Sequence, residues 1–347
     1  MKRKVKVGII GCGRILPMHI VPATILAQAD LVSVCDIRPE RAETAARKYG
    51  CKAYTDYTEM LKKERLDAIH ICLPHYLHPI VAEYAIKQNI HVLSEKPMSI
   101  DYESGKRCVR LAEEYGVNYG VILQCRYNKS ARLVKRSLLS GRLGKIISAR
   151  STLTWTRPDS YYAESDWKGT WDKEGGGVII DQAIHSIDLV NWFIDDEAVK
   201  VDVSIANRGH KLVRVEDSAE GLVTYRNGIR YGFYCMNNYG CDEPIEIRLL
   251  CEKGKAVLSY DDACITYNDG TSEKVVETGS DIEYEGGKDY WGFQHIKQIE
   301  QFYNAVLGLE PLEISGREAL KVQKLICAMY RSGKEGKSVF LEGEDRL

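Results

Sequence analysis

Residues 5–16 read VKVGIIGCGRIL. A β-branched, apolar run meets Gly11 and Gly13 with no polar break, and an amphipathic stretch begins at Arg14 and Ile15. Such a pattern reads as a buried strand that turns at once into a helix. The two glycines stand where the backbone must bend sharply and let a ligand come close. The N–H groups at the N-terminus of such a helix suit a pyrophosphate. The third glycine of the usual G-x-G-x-x-G falls at position 16, which here is Leu16. That position serves helix–strand packing, so the departure bears on packing more than on phosphate contacts. The next apolar run, LVSVCD (31–36), ends in Asp36, at about the 20-residue spacing of an acid that bonds the ribose 2′-hydroxyl and repels a 2′-phosphate. NAD is therefore expected over NADP, with Arg38 nearby keeping NADP as the alternative.

Beyond this stretch the same alternation continues. Strands are expected at 5–10, 31–36, 68–73, 90–95 and 117–123, with helices at 14–28, 39–49, 77–88 and 101–115. Apolar strands separated by helices of this length predict a doubly wound parallel α/β sheet of Rossmann type. From about residue 145 the runs alternate instead, at 146–155, 200–206, 220–235 and 245–260, with Asn227-Gly228 and Gly254 as hairpin signals. This half predicts an α+β domain with an open, mostly antiparallel sheet and helices near 178–194, 290–306 and 316–332. The expected division is residues 1–123 for dinucleotide binding and 124–347 for substrate binding and association between copies.

Lys plus Arg (48) balance Asp plus Glu (49), which argues against a nucleic-acid or membrane-surface footprint. The eleven scattered cysteines show no C-x-x-C or Cys/His ligand spacing, so no metal is expected and a reduced, cytoplasmic setting is. There is no apolar run long enough to span a bilayer.

Four stretches carry candidate chemistry. LPHYLH (73–78) is the loop after the third expected strand, on the ligand edge of such a sheet, so Leu73, Pro74, His75 and His78 are candidates for the cofactor. A lone histidine there also reads as a helix cap. VLSEKPMS (92–99) ends a buried strand with Glu95, Lys96 and Pro97, an unusual exit for charged residues. In WDKEGGGVIIDQAIHSIDLVNW (171–192), Ile180, Ile184 and Ile187 form an apolar helical stripe, and Asp181, His185 and Asp188 flank it one position round. At i, i+4 a carboxylate can hold an imidazole and set its basicity, as a general base requires; a solvated helix edge is the plainer reading. The glycine run 175–177 is expected to let a ligand approach. Trp155, Tyr161, Trp167 and Trp171 offer aromatic faces that suit sugar rings, or that pack an interface.

In this order, GIIGCGRI (8–15), Asp36, LPHYLH, SEKP (94–97), CRYN (125–128), SGRLGKI (140–146) and GGGVIIDQAIHSID (175–188) resemble the Gfo/Idh/MocA oxidoreductases, the glucose–fructose oxidoreductase and inositol dehydrogenase family. The run 161–177 looks like the branch acting on inositols and on free or nucleotide-linked sugars. The resemblance implies that Lys96 lies beside the nicotinamide and the reacting carbon, that Glu95 helps place it, and that Asp181 and His185 form the substrate-side pair with His185 accepting the proton. It extends the substrate set to Arg126 and Tyr127. His75 stands where the family usually has Asn. The implied activity is NAD(P)-dependent oxidation of a ring hydroxyl in a carbohydrate, sugar derivative or inositol by a homodimer or homotetramer. Two other readings stay open: a redox-neutral enzyme that retains its NAD and cleaves or rearranges glycosides, and a NAD-binding sensor or scaffold.

Overall fold

The opening run forms strand β1 (Val5–Ile10), and Leu16–Ile25 forms helix α1. In the computed structural model, which describes residues 3–163, 165–277, 282, 284 and 293–341, the chain forms two compact units. One comprises residues 1–124 with 279–320, the other 125–278 with 321–347.

The first unit continues with β2 (Ala29–Cys35), α2 (Pro39–Tyr49), β3 (Lys52–Tyr54), α3 (Tyr57–Lys63), β4 (Ala68–Ile71), α4 (His78–Ile86), β5 (His91–Ser94), α5 (Tyr102–Tyr115) and β6 (Tyr119–Val121). Its six strands lie in the order β3-β2-β1-β4-β5-β6, and every pairing is parallel. Val7, Ile9, Ile69, Ile71, Val92 and Leu93 are sealed from solvent, as a sheet covered on both faces demands. Strand order reverses beside β1, the place where ligands bind such a sheet. The short β3 and α3 are additions to the elements read from sequence. Lys52 and Ala53 are exposed, so β3 carries no apolar run to announce it.

The second unit begins with α6 (Lys129–Leu139), β7 (Ile146–Thr154), the short α7 (Asp159–Ala163) and α8 (Ile184–Ile194). It continues through β8 (Ala198–Ala206), β9 (Ser218–Tyr225), β10 (Arg230–Met236), β11 (Glu246–Cys251), β12 (Gly254–Ser259), β13 (Asp262–Tyr267) and β14 (Ser272–Val275). Helix α9 (His295–Val306) belongs to the first unit; positions 290–292 of its expected extent lie outside the described residues. From Lys321 the residues of α10 (Gly316–Glu335), and then β15 (Val339–Phe340), belong to the second unit. Nine strands form one open sheet, β14-β13-β12-β11-β7-β10-β9-β8-β15. All its pairings are antiparallel except β10 with β7. Among the described residues, no helix is long and apolar enough to cross a membrane.

Two details differ from the sequence reading. The helix expected from 178 opens as a π-turn over Ile179–Ala183 before α8 begins. And α9 places Ile299, Phe302 and Tyr303 in the core of the first unit, with Val5, Ile9, Leu93 and Ile122.

Candidate active site

In the first unit the turn after β1 is built so that only glycine fits. Gly11 has φ +102°, and a Cβ there would stand 2.1 Å from the Cys72 carbonyl oxygen. A Cβ at Gly13 would meet nothing within 4 Å, so the space before the first turn of α1 is open. That helix starts without a side-chain cap and without an acid in its first turn, which leaves its positive end to an outside anion. Leu16 is buried in the core with Cys12 and Ile20, so the missing third glycine is replaced by apolar packing. Asp36 accepts from the N–H of Cys12 at 2.8 Å and of Arg38 at 2.9 Å, tying the glycine turn to the end of β2. Arg14 and Arg38 are exposed, and Ile15, Leu73 and Pro74 half-buried. These features fit a dinucleotide.

His75 is buried. His78 is fully buried, with Nδ1 2.6 Å from the Pro97 carbonyl oxygen and Nε2 2.7 Å from that of Leu73. It therefore braces the Leu73 loop against the Lys96–Pro97 loop, with both ring nitrogens engaged by backbone. The Lys96–Pro97 peptide is cis. Glu95 is buried; its N–H donates to Ile71 O, and its Oε2 accepts from the Lys96 N–H at 3.1 Å. Burial works to raise its pKa, but hydrogen bonds from His19 and His295 hold it well below 4.5.

In the second unit a polar cluster surrounds Asp181, which lies in the π-turn. Its Oδ2 accepts from the Tyr161 hydroxyl (3.0 Å), Lys168 Nζ (3.1 Å) and Gln182 Nε2 (2.6 Å). Lys168 Nζ also donates to the Tyr161 oxygen at 2.6 Å and stands 3.6 Å from Glu174. Asn237 Nδ2 donates to the Gln182 carbonyl and to the Tyr162 hydroxyl, both at 2.9 Å. Burial pulls the Lys168 pKa down, yet the charge of Asp181, and of Glu174 where it is ionised, more than offsets this, and the amine sits above its ordinary value. Burial pushes Glu174 up to about 8, against the opposing pull of Lys168. His185, in the first turn of α8, is buried. A permanent cation thus clamps the carboxylate within one turn of an imidazole. That arrangement can hold hydroxyl groups and accept a proton from one.

The glycine run 175–177 packs against protein. A Cβ at Gly176 would lie 2.0 Å from the Tyr330 hydroxyl, and one at Gly177 1.9 Å from the Glu216 carbonyl oxygen. Glu216 accepts from the N–H of Gly177 (2.9 Å) and Ile179 (3.1 Å) and from the Tyr330 hydroxyl (2.8 Å), anchoring the start of the π-turn. The expectation that this run admits a ligand is corrected: two of its glycines exist to let Glu216 and Tyr330 close in.

The other sequence candidates fall into two groups. Tyr161 and Trp167 stay with Asp181, their ring centroids 4.4 and 4.8 Å from Lys168 Nζ. Arg126 makes a buried two-pronged pair with Asp188 (2.8 and 2.6 Å), and Tyr127 is buried with Arg132 over its ring. Asp188, expected on the polar stripe, is thus consumed by Arg126. Trp155 is buried and donates to the Glu243 carbonyl; Trp171 donates to that of Arg214 and packs edge-on to Tyr330. Lys168 and Glu174 were within reach of sequence reading, since both lie in the 161–177 run. Gln182, Glu216, Asn237 and Tyr330 gave no local signal, because their roles come from strand pairing and from α10.

Among the described residues, one His/Glu group has metal-like spacing, His19, Glu95 and His295. None of the eleven cysteines, all among the described residues, forms a disulfide.

Residues 5–123 match the family model "Oxidoreductase family, NAD-binding Rossmann fold", and 131–257 match "GFO/IDH/MocA C-terminal domain". The chain is similar to the WlbA dehydrogenase of Bordetella pertussis, solved in complex with NADH and UDP-GlcNAcA, at 30% identity and TM-score 0.84 over 98% of this chain and 99% of that one. It is 23% identical to the myo-inositol 2-dehydrogenase of Thermotoga maritima over 97% of this chain and 98% of that protein. The glucose-6-phosphate 3-dehydrogenase of Bacillus subtilis is 27% identical, and the match spans 62% of this chain and 63% of that relative.

Proposed function

Since the chain belongs to the Gfo/Idh/MocA family of oxidoreductases, we propose that it is an NAD-dependent dehydrogenase that oxidises a ring hydroxyl of a sugar, sugar derivative or inositol. The observation that carries this reading is the clamped Asp181, held by Lys168, Tyr161 and Gln182 within one turn of His185. A scaffold or sensor has no need of a carboxylate locked in place by a permanent cation. Gly11, Gly13, Arg14, Ile15, Leu73, Pro74 and His75 would hold the cofactor, and Asp36 would take the ribose hydroxyls and disfavour a 2′-phosphate. NAD, when bound, supplies the hydride acceptor.

The chain's own residues do the rest. His185 accepts the hydroxyl proton, and Asp181 orients the substrate and stabilises the imidazolium that forms. Lys96 donates a hydrogen bond to the developing alkoxide. Tyr161 and Trp167 present faces to the ring C–H surface. On the nine-strand sheet, Arg150, Leu222, Arg248 and Leu250 are exposed, a surface suited to association between copies.

The test is a panel of free sugars, glycosides, inositols and nucleotide-linked sugars, each offered with NAD and with NADP, read as formation of reduced cofactor. Reduction of NAD by one class supports the reading. Release of product from a glycoside with no added cofactor supports the redox-neutral alternative, and silence across the panel opposes both.

A further inference from the structure

Beneath Lys96, inside the first unit, lies a buried array that the reaction outlined above does not use. His19 Nε2 is 2.9 Å from Glu95 Oε1, and His19 Nδ1 is 3.1 Å from His70 Nδ1. His70 Nε2 is 3.1 Å from the Tyr303 hydroxyl, and His295 Nε2 is 3.3 Å from the same Glu95 oxygen. His19, His70 and Tyr303 are completely buried, and Glu95 and His295 nearly so.

The chemistry gives the array one direction. Glu95 is ionised, so the nitrogens facing it must carry hydrogen: Nε2–H of His19 and of His295. Burial holds His70 well below 6.5, hence neutral, with one ring hydrogen. If that hydrogen were on Nε2, the Tyr303 hydroxyl proton would have no acceptor among the described residues. It therefore sits on Nδ1 and is donated to His19 Nδ1, while Tyr303 donates to His70 Nε2. Every polar atom of the chain Tyr303→His70→His19→Glu95 is then satisfied. The outcome is a carboxylate with donors on both oxygens, since Oε2 takes the N–H of Lys96 itself at 3.1 Å. On the far side of Lys96, His78 engages the Pro97 carbonyl.

We propose that His19, His70, Tyr303 and His295 are positioning residues: a directed hydrogen-bond relay that fixes the Glu95 carboxylate and, through it, the backbone of Lys96 against the reacting carbon. This rests on Lys96 acting in the dehydrogenase reaction. Histidines ordinarily serve such enzymes by titrating; here they serve as connectors, each holding its neighbour by a hydrogen bond.

The experiment has two arms. In the ¹⁵N-histidine NMR spectrum of the whole, unmodified protein, His19 and His295 are expected as Nε2–H tautomers and His70 as the Nδ1–H tautomer. A doubly protonated His70, or an Nε2–H tautomer there, overturns the relay, and this arm needs no substrate. In the second arm, His19→Gln and Tyr303→Phe are assayed with whichever panel compound the wild type oxidises. His19→Gln is expected to lower kcat about 10- to 100-fold, as misplacement of a reacting group does, with KM for NAD unchanged. The milder Tyr303→Phe keeps the ring and is expected to lower kcat about threefold to tenfold by the same misplacement, again without a KM change. Either variant turning over like wild type, while Lys96→Ala is inactive, overturns the relay and leaves the dehydrogenase reading intact. An active Lys96→Ala instead removes the reading on which the relay rests. Stoichiometric metal bound to the purified protein, lost with activity on chelation, also overturns it by making His19, Glu95 and His295 ligands.

Discussion

At the residue scale, the proposed function rests on a few side chains whose removal should have separable consequences. Lys96→Ala and His185→Ala should each lower kcat about 10²- to 10⁴-fold, the usual worth of a positioned acid–base or alkoxide-stabilising group. Lys168→Met should leave the Asp181 carboxylate with an apolar neighbour in place of its cation. Activity should then fall about 100-fold as the substrate loses its register, and steady-state kinetics with the screened substrate would read this. Asp36 forms two backbone hydrogen bonds that order the glycine turn. Asp36→Ser should therefore weaken NAD by about tenfold or more, since hydrogen bonds to a charged acceptor are worth about 1.5–3 kcal/mol. NADP should be affected less, and a change equal for both cofactors would remove Asp36 as the discriminator.

At the scale of elements, the π-turn and the loop before it show what pattern reading can and cannot reach. Asp181 and His185 were legible as a stripe because apolar residues around them repeat at helical spacing. The π-turn was not, because Glu216 and Tyr330 impose it from β9's leading edge and from α10, far along the chain. The glycine run failed for the same reason: a glycine admits whatever comes close, and sequence does not say whether that is ligand or protein. In β1 and its turn the local signals agreed with the global fold, so that stretch was readable. Gly11→Ala should place a methyl group against the Cys72 carbonyl and cost at least about 2 kcal/mol in urea unfolding. Glu174 belongs to this scale too. Its folded pKa of about 8 exceeds the ordinary 4.5, so between these values the unfolded chain has released a proton that the fold retains. Stability from this group is full below 4.5 and is lost as pH rises towards 8. Glu174→Gln should flatten that decline when urea midpoints are compared at the two ends of the window, and an unchanged slope would show that Glu174 is ionised in the fold. His70 acts oppositely: neutral in the fold and able to charge when unfolded, it lowers stability as pH falls below 6.5.

At the scale of the whole molecule, the chain returns to its first unit after building most of its second. Alternating strands and helices up to residue 123 look self-sufficient in sequence. Yet Ile299, Phe302 and Tyr303 of α9 are sealed in the same core as β1 and β5. A fragment ending at residue 124 should therefore fail to unfold cooperatively, because burying each large side chain contributes about 1.5–3 kcal/mol. Near-UV circular dichroism during urea titration would show it, and a sharp transition at the wild-type midpoint would contradict it. The amphipathic pattern of α9 was visible in sequence, but an apolar stripe does not name the sheet it covers. The central proposal is that this molecule oxidises a ring hydroxyl through Lys96, the clamped Asp181 and His185. Its most direct test is the rate of NADH formation across the carbohydrate and inositol panel for wild type and Lys96→Ala side by side. Steady NADH formation from one substrate class by the wild type and its near-complete loss in the variant are expected; equal rates in the two proteins would remove Lys96 from the reaction.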